Sequence, residues 1–350
     1  MRYYRTGICG VAAFALLAGC SGNVASPSGS PLSAADAASW HGGAIGAPLS
    51  RHSDGRLHGL PAPQTAKDGI YVSEFYAKNV VGYPKKHVRR HGPFCTVPWT
   101  SSDVNDIAVD GTGALIVPDP GNADIVIGTG PGMCGPESQS IAETYGYPSD
   151  AASYNAATGT IVVGNFRDNP NFSYPGSVTL CTVAAGCTSN LTNSDILGVV
   201  GVTLDKSGNC WAASEGRSAV PVLVYFANCS GSGVVATGFQ DTSFGGLDID
   251  RSGNLVSIDE TANGVGQVWV YKGCNPACTL VGGPFPLNGE SVYGHLNAKG
   301  DRLAVADVAY GQVDIYSYLP TAVKYLYSFS EGMRASYEVQ GVVYNPSSMK

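Results

Sequence analysis

Apolar and polar residues alternate in short runs along residues 106–319, and the runs come in pairs that flank a glycine-bearing turn. The copies read DIAVDGTGALIVPD from Asp106, AASYNAATGTIVVGN from Ala151, GVTLDKSGNCWAAS from Gly201, GLDIDRSGNLVSID from Gly246 and YGHLNAKGDRLAVAD from Tyr293. Period-two alternation on both sides of a turn predicts two antiparallel strands. Asp110, Asn155, Asp205, Asp250 and Asn297 open the turns, and glycine follows three residues later, or four after Asn155. An Asx side chain accepts hydrogen bonds from the turn backbone while glycine adopts positive φ, so the turn chemistry agrees with the pattern. A third strand follows, as in VPVLVYFA, GQVWVYKG and GQVDIYSYL, and then a less regular fourth.

Four antiparallel strands recurring about every 45 residues predict the blades of a β-propeller. The two ends of the chain supply one more blade. VQGVVYNPSS from Val339 reads as a first strand with no second, and DGIYVSEFYAKNVVGYP from Asp68 reads as second and third strands with no first. Joined, they give an all-β, six-bladed propeller of four-stranded antiparallel blades, closed by strands from both ends so that the ring has no open edge. One misaligned repeat would make the count five or seven.

Composition agrees with this architecture. Glycine occupies 46 of 350 positions and only 13% of residues are charged, which suits many short strands and tight turns over helices. The N-terminus, MRYYRTGICGVAAFALLAGC, has Arg2 and Arg5, an apolar run from Ile8 to Ala18 and small residues after it. It reads as a signal peptide over residues 1–19, too short for a stable membrane span. LAGC, ending at Cys20, resembles the lipobox of bacterial lipoproteins, which implies cleavage before a lipidated Cys20. Residues 20–65 are rich in Ser, Gly, Ala and Pro and read as a flexible tether, leaving residues 66–350 for the propeller. The expected address is the cell envelope, outside the cytoplasm and anchored to the inner or outer membrane by the lipid. With Arg2 and Arg5 removed, the 20 basic residues fall to 18 against 27 acidic ones, a formal charge of −9 in place of −7, which argues against nucleic acid as a partner. The one basic run, PKKHVRRH over residues 84–91, reads as a solvated outer hairpin or a contact for anionic headgroups.

Eight cysteines remain beyond Cys9 and Cys20, an even number in a chain expected to be exported. Cys181 with Cys187, and Cys274 with Cys278, flank hairpins between third and fourth strands. Cys210 begins a second strand and Cys229 ends the third strand opposite it, so these two are expected to pair. Cys95 and Cys134 are left for each other. Neither CNPAC nor CTVAAGC has the spacing of a zinc site.

Propellers bind ligands at the end of the channel where first strands begin and second strands end. At second-strand ends stand Glu74, Asp119, Asn165, Ser214 with Glu215, Asp259 with Glu260, and Asp307; near first-strand starts stand Asn105, Asp106, Asp150, Tyr293 and Gln340. Such oxygen donors could converge on a hard cation such as Ca²⁺. A feature present in nearly every blade equally fits a structural role, since Asp and Asn there can accept from N–H groups of the next loop. Tyr145, Tyr147 and Tyr293 are candidates for stacking on a sugar or peptide. There is no G-x-S-x-G elbow.

GVTLDKSGNCWAASE and GLDIDRSGNLVSIDE resemble the repeats of NHL, gluconolactonase and streptogramin-lyase propellers, and the resemblance covers residues 66–346. It implies the fold, on which enzymes, receptors and adaptor modules all occur. For the lactonase type it implies a metal that polarises a lactone or ester, with Glu74, Asn105, Asn165, Asp259 and Asp307 as candidate ligands. For the lyase type it implies a histidine base, for which His295 is the candidate. The chain departs from the lactonase pattern in lacking an early Glu-Gly-Pro strand; Glu74 stands in YVSEF instead. The expected function is a monomeric binding module for a protein or polysaccharide partner, with a metal-dependent lactonase, esterase or lyase as the alternative.

Overall fold

In a computed structural model of the protein, the described residues are 69–345 except 76, 86–87, 89–91, 99–104, 121, 129–136, 168–175, 217–219, 242–244, 262 and 334–338. They belong to a unit that spans Thr65–Lys350. The signal peptide, Cys20, the tether and most of the basic run lie outside the described residues.

Six four-stranded antiparallel sheets make the six blades. Blade 1 contains β1 (Gly69–Glu74), β2 (Asn79–Pro84) and β3 (Cys95–Pro98); blade 2 contains β4 (Ala108–Val109), β5 (Leu115–Asp119), β6 (Asp124–Gly128) and β7 (Glu137–Ala142). Blade 3 comprises β8 (Tyr147–Asn155), β9 (Thr160–Arg167), β10 (Ser177–Thr182) and β11 (Gly186–Leu191), and blade 4 comprises β12 (Ile196–Leu204), β13 (Cys210–Gly216), β14 (Pro221–Phe226) and β15 (Val234–Val235). Blade 5 is β16 (Leu247–Ile249), β17 (Leu255–Glu260), β18 (Gly266–Lys272) and β19 (Thr279–Pro286); blade 6 is β20 (Ser291–Leu296), β21 (Arg302–Asp307), β22 (Gln312–Leu319) and β23 (Ala322–Phe329). The last strand, β24 (Val339–Asn345), is the innermost strand of blade 1 and pairs with β1 from Gly69↔Asn345 to Glu74↔Val339. The ring therefore closes with strands from both ends of the chain, as expected.

The Asx turns form as their chemistry requires. Asp250 Oδ1 accepts from the amides of Ser252 (2.8 Å) and Asn254 (2.9 Å), and Gly253 sits at φ +80°. Asp110 and Asp205 repeat this arrangement two and four residues ahead. Each turn delivers two strands whose side chains alternate between neighbouring blades. On β17, Leu255 packs with Trp211 and Leu223 of blade 4, while Val256 and Ile258 pack with Leu303 and Val305 of blade 6. Blades thus bury both faces only against each other.

Disulfides join Cys181 to Cys187, Cys210 to Cys229 and Cys274 to Cys278. Cys229 does not end the third strand as its position suggested. Phe226 holds the place opposite Cys210, and the turn Ala227–Cys229, with Asn228 and Cys229 at positive φ, curls back to bring the sulfurs together. Cys95 is also disulfide-bonded; its expected partner Cys134 lies outside the described residues.

Candidate functional site

Second-strand ends and first-strand starts meet at one face of the ring, together with the loops that join second to third strands. The acids there serve mainly their own blades. Asp119 accepts from the Asn122 amide (3.3 Å) and from Asn122 Nδ2 (2.7 Å), and Asp307 accepts from the Tyr310 amide (3.3 Å) and from Gln312 Nε2 (3.1 Å). Asn79 Nδ2 donates to Glu74 (3.3 Å), and Asn165 Nδ2 donates to Ser177 (3.2 Å) and Thr179 (2.7 Å). Asn105 is buried, with its carbonyl bonded by Ser73 Oγ, which also accepts from the Gly341 amide (2.7 Å). These bonds organise hairpins and the junction of blades 1 and 2.

The acidic candidates are not gathered at one point. Among the described residues, Glu143, Cys181 and Cys187 are the sole three His, Cys, Asp or Glu side chains whose ligand atoms lie within 4.8 Å of one another. Two of these three are spent in a disulfide. Glu74, Asp259 and Asp307 form no such group.

His295 is engaged. Its Nε2 lies 3.2 Å from Asp106 Oδ1 and its Nδ1 3.7 Å from Asp248 Oδ2. Asp248 also accepts from the amides of Ile249 and Leu296 (2.7 Å each), and Asp106 from those of Ile107 and Ala152. Blade 1 stands between blades 6 and 2 in the ring, so the His295–Asp106 contact crosses the channel instead of following its wall. Burial works against charge on the imidazole, but Asp106 and then Asp248 outweigh it and push the histidine up to about 10. A histidine held protonated at neutral pH has no lone pair with which to act as a general base. The imidazolium is a cross-brace.

Asp241, in the connection from blade 4 to blade 5, is a feature that sequence reasoning missed. It accepts from Tyr271 Oη (2.6 Å) and from Ser257 Oγ and faces Asp259, which in turn accepts from Trp269 Nε1 (3.3 Å). Burial first, and the Asp259 charge second, push its carboxyl up to about 8 against the pull of those two hydroxyls. A raised acid favours the native state while protonated, so this contribution is present below about pH 4 and is lost as pH rises through about 8. Relative to the native chain, Asp241→Asn should gain stability from pH 5 to pH 8, by up to about 1.4 kcal/mol per pH unit. Urea denaturation of both proteins across that range measures it; parallel pH profiles would contradict it.

Of the tyrosines expected at the mouth, Tyr293 is buried and cannot stack on a ligand, Tyr145 is exposed, and the Tyr147 side chain lies outside the described set. Among the described residues the most exposed aromatic is Tyr310, at 67%. It sits in the loop between β21 and β22, and Val265 (41%) and Val220 (56%) occupy the corresponding loops of blades 5 and 4.

No family model matches the chain, and no curated protein matches it. Among solved structures, the chain is similar to one in a nidogen/laminin complex, at 12% identity and TM-score 0.58, covering 79% of this chain and 98% of that one. It is also similar to a functionally unknown protein from Desulfotomaculum acetoxidans DSM 771 (12% identity, TM-score 0.52, 78% and 83% covered). A third similar structure is Kuenenia stuttgartiensis hydrazine synthase (12% identity, TM-score 0.50, 69% and 70% covered). At such identity the likeness is one of fold alone.

Proposed function

We propose that the propeller is a binding module of the cell envelope, tethered by a lipid on Cys20, that presents its loop face to a protein or polysaccharide partner. The observation that carries this reading is the row of exposed apolar side chains, Val220, Val265 and Tyr310, at matching loops of three consecutive blades. Exposed apolar residues aligned on one face suit an interface better than they suit water. Among the described residues of that face, His295 is engaged by Asp106, and Asp119 and Asp307 are bonded within their own blades. A similar chain in a nidogen/laminin complex belongs to a protein–protein assembly, which supports the same use of the fold.

The test is retention of detergent-solubilised envelope proteins and of envelope polysaccharides on the immobilised full chain. Saturable binding of one class, weakened at least about tenfold by the combined changes Val220→Ser, Val265→Ser and Tyr310→Ser, is the expected result. No saturable binding of either class, or binding indifferent to the triple change, would overturn the reading.

A further inference from the structure

The Asx turns gather on the face of the ring opposite the loops, and neighbouring turns touch there. Asn155 Nδ2 donates to the Asp205 carbonyl (2.9 Å), which joins the turns of blades 3 and 4. A methyl group placed on Gly300 would meet Arg251 Cγ at 3.0 Å, so the turns of blades 5 and 6 adjoin. One placed on Gly113 would meet Asn345 Nδ2 at 2.9 Å, so the end of β24 lies beside the turn of blade 2. Gly69 pairs with Asn345, whereas Glu74, at the other end of β1, pairs with Val339 and lies at the loop face. The chain therefore enters the propeller on the turn face, where the 68 residues before Gly69 are joined to it.

Charge is divided between the two faces. Lys206, Arg251 and Lys299 stand exposed at the turns of three consecutive blades, and among the described residues none of them has an ion-pair partner. The Arg251 stem lies over Gly300, so this side chain reaches the turn that carries Lys299. The acids of this face are tied to their own turns. Asp110, Asp205 and Asp250 accept from turn amides, and Asp301 accepts from Asn297 Nδ2 (2.8 Å) and lies 3.9 Å from Arg302. Asp110 and Asp205 are half-buried and Asp250 is buried, so an approaching surface meets the long cationic side chains before these carboxylates. The loop face is the acidic one, with Glu74, Asp119, Asp259, Glu260 and Asp307 at its second-strand ends.

From this arrangement we infer that the turn face rests on an anionic phospholipid bilayer, so that the loop face points away from the membrane toward its partner. The inference rests on the lipid-anchored binding module proposed above and gives it an orientation. The anchor brings the turn face to the membrane first along the chain, and the three cations hold it there. Each Lys or Arg close to an anionic leaflet strengthens the contact about fivefold. The acids of the loop face oppose the inverted arrangement.

The probe is acylation of the full chain by a neutral amine reagent on vesicles of phosphatidylcholine, with and without phosphatidylglycerol, read at each lysine by mass spectrometry. Phosphatidylglycerol should slow the labelling of Lys206 and Lys299 at least about fivefold and leave Lys78, exposed in the loop between β1 and β2, unchanged. Salt at about 0.5 M should remove the difference. Arg251→Glu leaves both reporter lysines in place and should also remove it, while unfolding as cooperatively as the native chain. Equal labelling of Lys206 and Lys299 on the two kinds of vesicle, slowing of Lys78 in their place, or slowing that survives both salt and Arg251→Glu would overturn the inference. So would a chain that binds neither vesicle, which would remove the anchor as well. The retention experiment on Val220, Val265 and Tyr310 reads the other face, so its failure beside slowed turn lysines would sink the binding module and leave the orientation standing.

Discussion

A chain that ends at residue 338 should fail to fold into a stable ring. The deletion removes β24, every residue of which is buried. It leaves the inner edge of β1 unpaired and takes Val339, Val342 and Tyr344 from the core between blades 6 and 1 and Val343 from that between blades 1 and 2. At about 1.5–3 kcal/mol for each buried side chain, the loss reaches about 6–12 kcal/mol. That is comparable with the whole stability of an ordinary domain, about 5–15 kcal/mol. Near-UV circular dichroism and urea denaturation of the truncated chain measure it, and a synthetic peptide of residues 335–350 should restore the cooperative transition in trans. Unfolding within about 2 kcal/mol of the native chain would show that β24 is dispensable to closure.

His295→Leu should destabilise the domain by about 3–5 kcal/mol at neutral pH, the usual cost of stranding a buried charge partner. Without the imidazolium, Asp106 and Asp248 face each other's field while nearly fully buried. The pH dependence carries the sign. The histidine is raised in the folded chain to about 10 from an ordinary 6.5, so its contribution is fully present below about pH 6.5 and is lost as pH rises through about 10. The stability gap between native chain and variant should therefore narrow from pH 7 to pH 10. Urea midpoints at intervals across that range provide the test, and a gap independent of pH would mean that His295 contributes packing alone.

The architecture was legible because each repeat states it locally. Asx at the head of the turn and glycine at its tail fix the hairpin, and the unpaired strands at the two ends of the chain have only each other. The site was legible only in part. Asp259 and Glu260 look like one corner of a single ring of acids, yet adjacent residues on a strand face opposite ways, so one points to blade 4 and the other to blade 6. Period two contains that answer once the direction of packing is known. The His295–Asp106 contact was beyond sequence reasoning, since it depends on how closely non-neighbouring blades approach across the channel. Asp241 lies in a connection with no period, and its chemistry comes entirely from burial between Tyr271, Ser257 and Asp259.

The pairing of β1 with β24 also sets an order in time. During synthesis β1 has no inner neighbour until β24 follows, because Gly69 pairs with Asn345. Later blades can form their hairpins as they appear, but the circle stays open until β24 has been made. A chain still lacking β24 keeps the inner edge of β1 unpaired and open to pairing with another strand. Seven residues made after the other five blades thus decide when that edge is covered.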